Sequence, residues 1–279
     1  MHDVWDIGDR LIDFALEEDV GSGDITTRLT VDSDATGTAI LIVREDGVLA
    51  GLDVFKRVFR KIDPEIRFDG NFMDGDILSA HQVVSTVYGS LLSILKAERT
   101  ALNFLQRMSG IATLTRRYVE KVSPFDVKIL DTRKTAPGLR WFDKYAVRVG
   151  GGTNHRFGLF DGVLIKDNHI VAAGSVEQAV KKAKSIAPHT LKIEVEVEDI
   201  KGVKHAVDAG ADIIMLDNMS VETMKQAVQI ISGRAITEAS GGVNLDTVAD
   251  IASTGVNFIS VGDLTHSAAA IDFSLDISS

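Results

Sequence analysis

VKILDTRK (127–134), GVLIKDNH (162–169), LKIEVEVE (191–198), DIIMLDNM (212–219), AITEASGG (235–242) and NFISVGDL (257–264) decide the fold class of this chain. Each is a short apolar run that ends in polar or glycine residues. Between most of them lie amphipathic stretches with helical spacing, such as SVEQAVKKAKSIA, SVETMKQAVQII and LDTVADIASTG. Apolar strands alternating with helices imply parallel βα units and an α/β class. Functional residues at strand C-termini are the layout of a (β/α) barrel. The six runs fall short of eight, so an open or incomplete (β/α) barrel of about six parallel strands is expected. A doubly wound sheet is the alternative. The glycine-rich ends of the last two runs favour the barrel, where late βα loops commonly hold phosphate.

The rhythm before residue 91 is different. Val4, Ile7, Leu11, Phe14, Ala15 and Leu16 have helical spacing, and GSGD (21–24) breaks that helix. From Thr38 to Val87 come short β-like runs, TAILIV, GVLAG, IRF and ILSAHQVVSTVYG, with one amphipathic helix, GLDVFKRVFRKI (51–62), among them. This half reads as an N-terminal α+β sandwich domain over 1–107. The long helical stretch from Leu91 then leads into the barrel domain, expected over 108–270.

The chain has 279 residues, a formal net charge of −10 and no cysteine, which excludes disulfides and thiolate chemistry. Its acidic N-terminus has neither the basic nor the apolar region of a signal peptide, and no apolar run reaches membrane-spanning length. A cytoplasmic protein with no membrane association is the expectation. Against that acidic background, Lys128–Lys166 holds eight Lys/Arg and three Asp, a net charge of +5. Small anionic ligands are therefore the ones to expect. Nucleic acid is not, because the rest of the surface repels a polyanion.

DTRKTAP (131–137) puts Thr132, Arg133 and Lys134 just past a strand end. Arg offers a planar fork to a carboxylate or phosphate, and Lys a point charge. Both can line a site only if the loop has turned; a solvated basic loop is the plain alternative. In GGGTNHR, three glycines (150–152) lead into His155 and Arg156, and consecutive N–H groups there could form an anion-binding nest. A flexible turn is the alternative. Lys166 at a strand end could be a Schiff-base nucleophile, a general base or an anion contact. His169 has no metal-ligand spacing and reads as structural. Glu194, Glu196 and Glu198 share one strand face by period two, with Glu196 expected inward and Glu198 solvated. Asp217 ends the next strand, so carboxylates from neighbouring strands suit Mg²⁺ shared with substrate phosphates. EASGG (238–242) and VGDL (261–264) offer small residues leading into helices, a phosphate-binding arrangement. Arg99 and Gln106, on an amphipathic helix, read as plain surface positions.

Two function classes fit these residues: an enzyme acting on a phosphorylated sugar, or a non-catalytic binder of a phosphometabolite. Carboxylates in the pocket favour the enzyme, because an anion trap gains nothing from them. Group transfer fits better than aldol chemistry, which needs a desolvated Lys166.

ERTALNFLQRMSGIATLTRRYV, DTRKTAPGLR, KYAVRVGGGTNHRFGLFDGVLIKDNHI, EVEVE, IIMLDNMS, EASGGV and ISVGDLTHSA, in this order from Glu98 to Ser267, together resemble the quinolinate phosphoribosyltransferase family. Ala136 and Met108 stand where the family often has Thr and Leu. The resemblance implies transfer of phosphoribosyl from phosphoribosyl pyrophosphate to quinolinate with Mg²⁺, giving nicotinate mononucleotide, pyrophosphate and CO₂ for NAD biosynthesis. A related barrel-type phosphoribosyltransferase for nicotinate or another aromatic acid is the alternative. The family's tail returns to the first domain, so 271–279 is expected there, with SLDIS (274–278) pairing. By resemblance, Arg133, Lys134, His155, Arg156 and Lys166 contact quinolinate or phosphates, beside Thr132. Glu196 and Asp217 flank ribose, pyrophosphate and metal, directly or through water. Ser240, Gly241, Gly242, Val261, Gly262 and Asp263 surround the 5′-phosphate. Lys134, Lys166, Glu196 and Asp217 stand nearest the reacting bond. Arg99 is implied to reach the site from a neighbouring subunit, which makes a homodimer the minimum assembly and leaves a hexamer open. Lys128, Lys144 and Arg148 are expected to be surface charges.

Overall fold

A computed structural model describes residues 6–278. In chain order its elements are α1 (Asp6–Val20), α2 (Ile25–Thr30), β1 (Thr36–Val43), β2 (Gly47–Val48), α3 (Leu52–Ile62), β3 (Arg67–Asp69), β4 (Ile77–Leu78), β5 (Val83–Ser90) and α4 (Leu91–Val122). There follow β6 (Lys128–Leu130), α5 (Arg140–Val149), β7 (Val163–Ile165), α6 (Asp167–Ala173), α7 (Val176–Ile186), β8 (Ile193–Val197), α8 (Ile200–Asp208), β9 (Ile213–Asp217), α9 (Val221–Ile231), β10 (Ile236–Ser240), α10 (Val248–Ala252), β11 (Phe258–Ser260), α11 (Asp263–His266) and β12 (Phe273–Ser278). Among the described residues no helix is long and apolar enough to cross a membrane.

The chain divides into two compact units. The first comprises Met1–Arg116, Thr135–Gly151 and Ser267–Ser279; the second comprises Arg117–Lys134 and Gly152–His266. This differs from a boundary at 107/108. The helix α4 runs unbroken through that point, and α5 segregates with the first unit because Phe142 packs against Phe104 of α4, ring centroids 4.8 Å apart.

In the first unit an antiparallel sheet has the order β12-β1-β5-β3. The tail strand β12 pairs along β1, with Leu275 opposite Leu41. Gln106 holds the same tail through a 3.0 Å bond to the Phe273 carbonyl, so it is a docking residue and not plain surface. Helix α3 buries Leu52, Val54, Phe55, Val58 and Phe59. Its N-terminus is satisfied by Asp74, which accepts the Gly51 and Leu52 N–H groups at 2.9 and 3.0 Å. On α1, Ile12 and Leu16 are buried while Ile7 and Phe14 are exposed; Val4, read into the same face, lies outside the described residues.

The second unit holds a six-stranded parallel sheet in the order β6-β11-β10-β9-β8-β7. Each strand from β8 to β11 lies beside its predecessor, and β11 pairs with β6, the first. A doubly wound sheet would instead reverse direction at a switch point. The order is that of an open (β/α) barrel with its gap between β6 and β7. An isolated parallel bridge, Leu130 to Thr153, begins to fill that gap. The strands carry near-continuous apolar runs because helices cover one face and the barrel interior the other.

Candidate active site

The strand register sets the site. Ser240 lies opposite Asp217 on β9, and Val197 opposite Leu216, so the last residues of β8, β9 and β10 come level at one end. A cavity of about 600 Å³ opens there. Its walls carry Thr132, Arg133 and Lys134 after β6, His155 and Arg156 from the gap segment, Lys166 after β7, Glu196, Asp217 and Ser240 at strand ends, and Gly241 and Gly242 beyond.

Local chemistry explains how each residue arrives. The Thr132 hydroxyl accepts the Lys134 N–H at 3.0 Å, a side-chain turn that lets adjacent Arg133 and Lys134 line the same cavity. Asp131 is fully buried and accepts the His155 N–H at 2.8 Å and the Asn154 amide at 2.6 Å. It therefore fixes the gap segment that delivers His155 and Arg156. Lys166 is the residue before α6, and His169 returns Nδ1 to its N–H at 2.9 Å, so His169 is structural as expected. Lys166 Nζ lies 2.5 Å from Glu196 Oε2. Gly241 has φ +90, and a Cβ there would stand 2.2 Å from the Asn218 side chain. Only glycine allows this turn at the end of β10.

Not every sequence candidate reaches this cavity. Val261 is buried, and Gly262 and Asp263 lie in the turn and short helix beside Lys134, where the Thr265 hydroxyl donates to the Lys134 carbonyl at 2.7 Å. Arg99 belongs to the first unit, is 60 % exposed and is not among the cavity walls. The glycines of GGGTNHR do not line the cavity, and Gly150 and Gly151 donate their N–H groups to the Ala146 and Arg148 carbonyls, each at 3.0 Å, and not to an anion. Gly150 ends α5, and a Cβ on it would lie 2.5 Å from the Ala112 carbonyl oxygen, so it is a helix terminator in close contact with α4. Lys144 is 2 % exposed, not a surface charge, because α5 turns it inward with Phe142, Asp143, Ala146 and Val147.

The electrostatics favour anions. Arg133, Lys134, Arg156 and Lys166 face the carboxylates of Glu196, Asp217 and Glu238. Burial, together with the Arg133 guanidinium nearby, lowers the Arg156 pKa. Glu238 was missed from sequence. It is 2 % exposed, and burial followed by the Glu194 carboxylate pushes its pKa up to about 8. The signal was its place two residues before Ser240, hence on the same strand face.

This buried acid gives a stability prediction. Its ordinary pKa is 4.5, so between about 4.5 and 8 the folded chain keeps a proton that the unfolded chain releases. Folding therefore weakens as pH rises across that window, by up to about 1.4 kcal/mol per pH unit. Glu238→Gln removes the slope. Its Tm should exceed the parent's at pH 8 and lose that advantage toward pH 4.5; parallel Tm profiles would show that Glu238 ionises normally.

Comparison with known proteins now decides the family. Residues 24–109 match the family model of the quinolinate phosphoribosyl transferase N-terminal domain, and 111–276 that of its C-terminal domain. The chain belongs to the quinolinate phosphoribosyltransferase family. It is 42% identical over 268 residues to a probable carboxylating nicotinate-nucleotide pyrophosphorylase of Bacillus subtilis, covering 96% of this chain and 92% of that one. It is 44% identical to a mitochondrial decarboxylating quinolinate phosphoribosyltransferase of Nicotiana tabacum, covering 99% of this chain and 83% of the relative. The solved structure of NadC from Streptococcus pyogenes superposes with a TM-score of 0.94 at 45% identity, over 100% of this chain and 99% of that one. The fold of that Streptococcus pyogenes protein therefore matches this one along the whole chain.

Proposed function

We propose that the cavity at the barrel's C-terminal end joins the phosphoribosyl group of phosphoribosyl pyrophosphate to the ring nitrogen of quinolinate, releasing pyrophosphate and CO₂ and leaving nicotinate mononucleotide, a step of NAD biosynthesis. The observation that carries this reading is the convergence of four cationic side chains and two strand-end carboxylates, Glu196 and Asp217, on one cavity of about 600 Å³. The enzyme is a pentosyltransferase of the carboxylating nicotinate-nucleotide pyrophosphorylase type.

Arg133, Arg156 and Lys166 hold the two carboxylates of quinolinate, with Arg supplying planar two-point contacts, and His155 borders them with both ring nitrogens turned to protein groups. Lys134, Ser240, Gly241 and Gly242 take phosphate oxygens, with Thr132, Val261, Gly262 and Asp263 shaping the surrounding loops. Glu196 and Asp217 lie beside the ribose. As the bond from C1 to pyrophosphate breaks, positive charge develops on the ribose, and these carboxylates stabilise it. The two carboxylates come from neighbouring strand ends and offer hard oxygen donors, a set that would hold Mg²⁺. When bound, Mg²⁺ offsets the charge of the departing pyrophosphate. No side chain forms a covalent intermediate; the cavity aligns ring nitrogen and C1. Once substituted, the ring nitrogen is cationic and draws in the electron pair left when CO₂ departs.

Incubation with quinolinate, phosphoribosyl pyrophosphate and Mg²⁺ should yield CO₂ and nicotinate mononucleotide in equal amounts, and nicotinate should fail as substrate. Turnover of nicotinate without CO₂ would replace this reading with a nicotinate phosphoribosyltransferase.

The assembly is a cytoplasmic homodimer, the unit a hexamer would also contain, in which Arg99 completes the partner's site. Its 60 % exposure leaves it open to a second copy. Mixing Arg99→Ala with Lys166→Ala and re-forming dimers should restore activity at about a quarter of the sites, because half the dimers are mixed and one site in each is whole. No recovery in re-formed mixed dimers would confine Arg99 to its own subunit or to no role.

A further inference from the structure

One layer deeper than the strand-end residues lies a second row of polar groups that the transfer step does not use. Period two puts Glu194 below Glu196 on β8 and Glu238 below Ser240 on β10. Glu194 and Glu238 are 5 % and 2 % exposed. His155 Nε2 stands between them, 3.1 Å from Glu194 Oε2 and 3.7 Å from Glu238 Oε2. Its Nδ1 accepts the Arg156 N–H at 2.7 Å, so a neutral ring carries its proton on Nε2. That single N–H is closer to Glu194, and the Arg156 charge also acts on Glu194. Glu238 faces Glu194 from β8, His155 from the gap segment and the Ser260 hydroxyl from β11. Burial, and after it the neighbouring Glu194 carboxylate, favours the protonated form of Glu238. Its side chain also lines the substrate cavity beside Arg133, Arg156 and Lys166.

We infer that Glu238 is the general acid that protonates C2 of the pyridine ring after CO₂ leaves. The inference rests on the reading of this cavity as the quinolinate site. The bond from C2 to its carboxylate breaks, CO₂ departs, and the electron pair remains on C2 beside the cationic ring nitrogen. The Glu238 O–H bond then breaks as the C2–H bond forms, leaving a neutral C2–H and a Glu238 carboxylate. An acid whose pKa lies near working pH suits this transfer and its own reloading. Reloading has a route. Glu238 and His155 also line a second cavity of about 430 Å³, whose walls include the exposed Thr190 and Lys192 ahead of β8. Water entering from that side returns the proton without crossing the bound product. Glu194 and His155 are positioning residues in this scheme.

Glu238→Gln keeps the shape and hydrogen-bonding reach of the acid and removes its transferable proton. Binding of quinolinate and of phosphoribosyl pyrophosphate should stay within about threefold of the parent, and in a single turnover with Mg²⁺ pyrophosphate should appear within about threefold of the parent rate, while nicotinate mononucleotide forms at least about 100-fold more slowly. The still-carboxylated mononucleotide should accumulate. Equal slowing of both products would make Glu238 structural, and no slowing of either would assign the proton elsewhere; each result overturns the inference. If Glu238→Gln does not fold, Glu238→Asp is read by the same split. The cavity reading is tested separately by Arg156→Ala. An unchanged Kd for quinolinate there would overturn that reading, whereas a raised Kd with an unsplit Glu238→Gln turnover would overturn only the role of Glu238.

Discussion

Arg133→Ala and Lys166→Ala should each lower kcat/KM at least roughly 100-fold, about 2.7 kcal/mol of transition-state stabilisation, with the fold intact. Arg133 reaches the cavity only because β6 ends at Leu130 and the Thr132 turn swings the next two residues inward. Its guanidinium also raises the positive potential around Arg156. In the proposed site, removing it takes away a two-point contact to a quinolinate carboxylate, and charge-assisted bidentate bonds are the strong ones. Arg133→Lys should recover only part of the loss, because an ammonium cannot reproduce the planar fork. Lys166 acts differently. Its Nζ is 2.5 Å from Glu196, so Lys166→Ala deletes an anion contact and leaves Glu196 without that counter-charge beside the departing pyrophosphate. Lys166 is 45 % exposed, and its replacement should leave thermal unfolding nearly unchanged. Steady-state kinetics with a melting curve checks both variants. Near-parent rates in either would remove that residue from the site.

The strand-end rule explains why the layout of this site is legible in the sequence. Six apolar runs each hand over to polar residues at their C-termini, and in a parallel barrel those ends share one face. That rule puts Arg133, Lys134, Lys166, Glu196, Asp217 and EASGG (238–242) at one end, while their roles in the site come from the family resemblance. What stayed hidden depends on tertiary contact. Nothing in GGGTNHR says that Gly150 will back onto the Ala112 carbonyl, so the same glycines fit an anion nest equally well on paper. Helix α5 lies in sequence between two barrel strands yet belongs to the first unit, a partition set by Phe142 against Phe104 and by Arg107 against Asp143. Lys144 reads as a surface lysine because its burial depends on which face of α5 that packing selects. Glu238 was visible in principle, as an acid inside the strand ITEAS in phase with Ser240, but its protonation comes from Glu194 and from burial, which only the closed sheet supplies.

Asp143→Ala should cost about 3–5 kcal/mol of stability, the largest loss expected from any one substitution discussed. Asp143 is fully buried. It accepts both Nε and Nη2 of Arg107 at 2.8 Å and the Ala136 N–H at 3.3 Å. The paired fork satisfies the carboxylate while α5 packs on α4. Alanine removes this carboxylate from the part-buried guanidinium and strands the Ala136 N–H, two residues past Lys134. Loss of a fully buried carboxylate that serves both a part-buried guanidinium and a backbone N–H dominates the cost. Two comparisons isolate that cause. Asp143→Asn keeps an oxygen for Ala136 and Arg107 without the charge, and should lose less. The double change Arg107→Leu with Asp143→Leu removes both charges, and should be more stable than Asp143→Ala alone. Urea unfolding of the three variants measures the order directly. If the double variant is the least stable, packing and not the charge balance sets the cost at this helix pair.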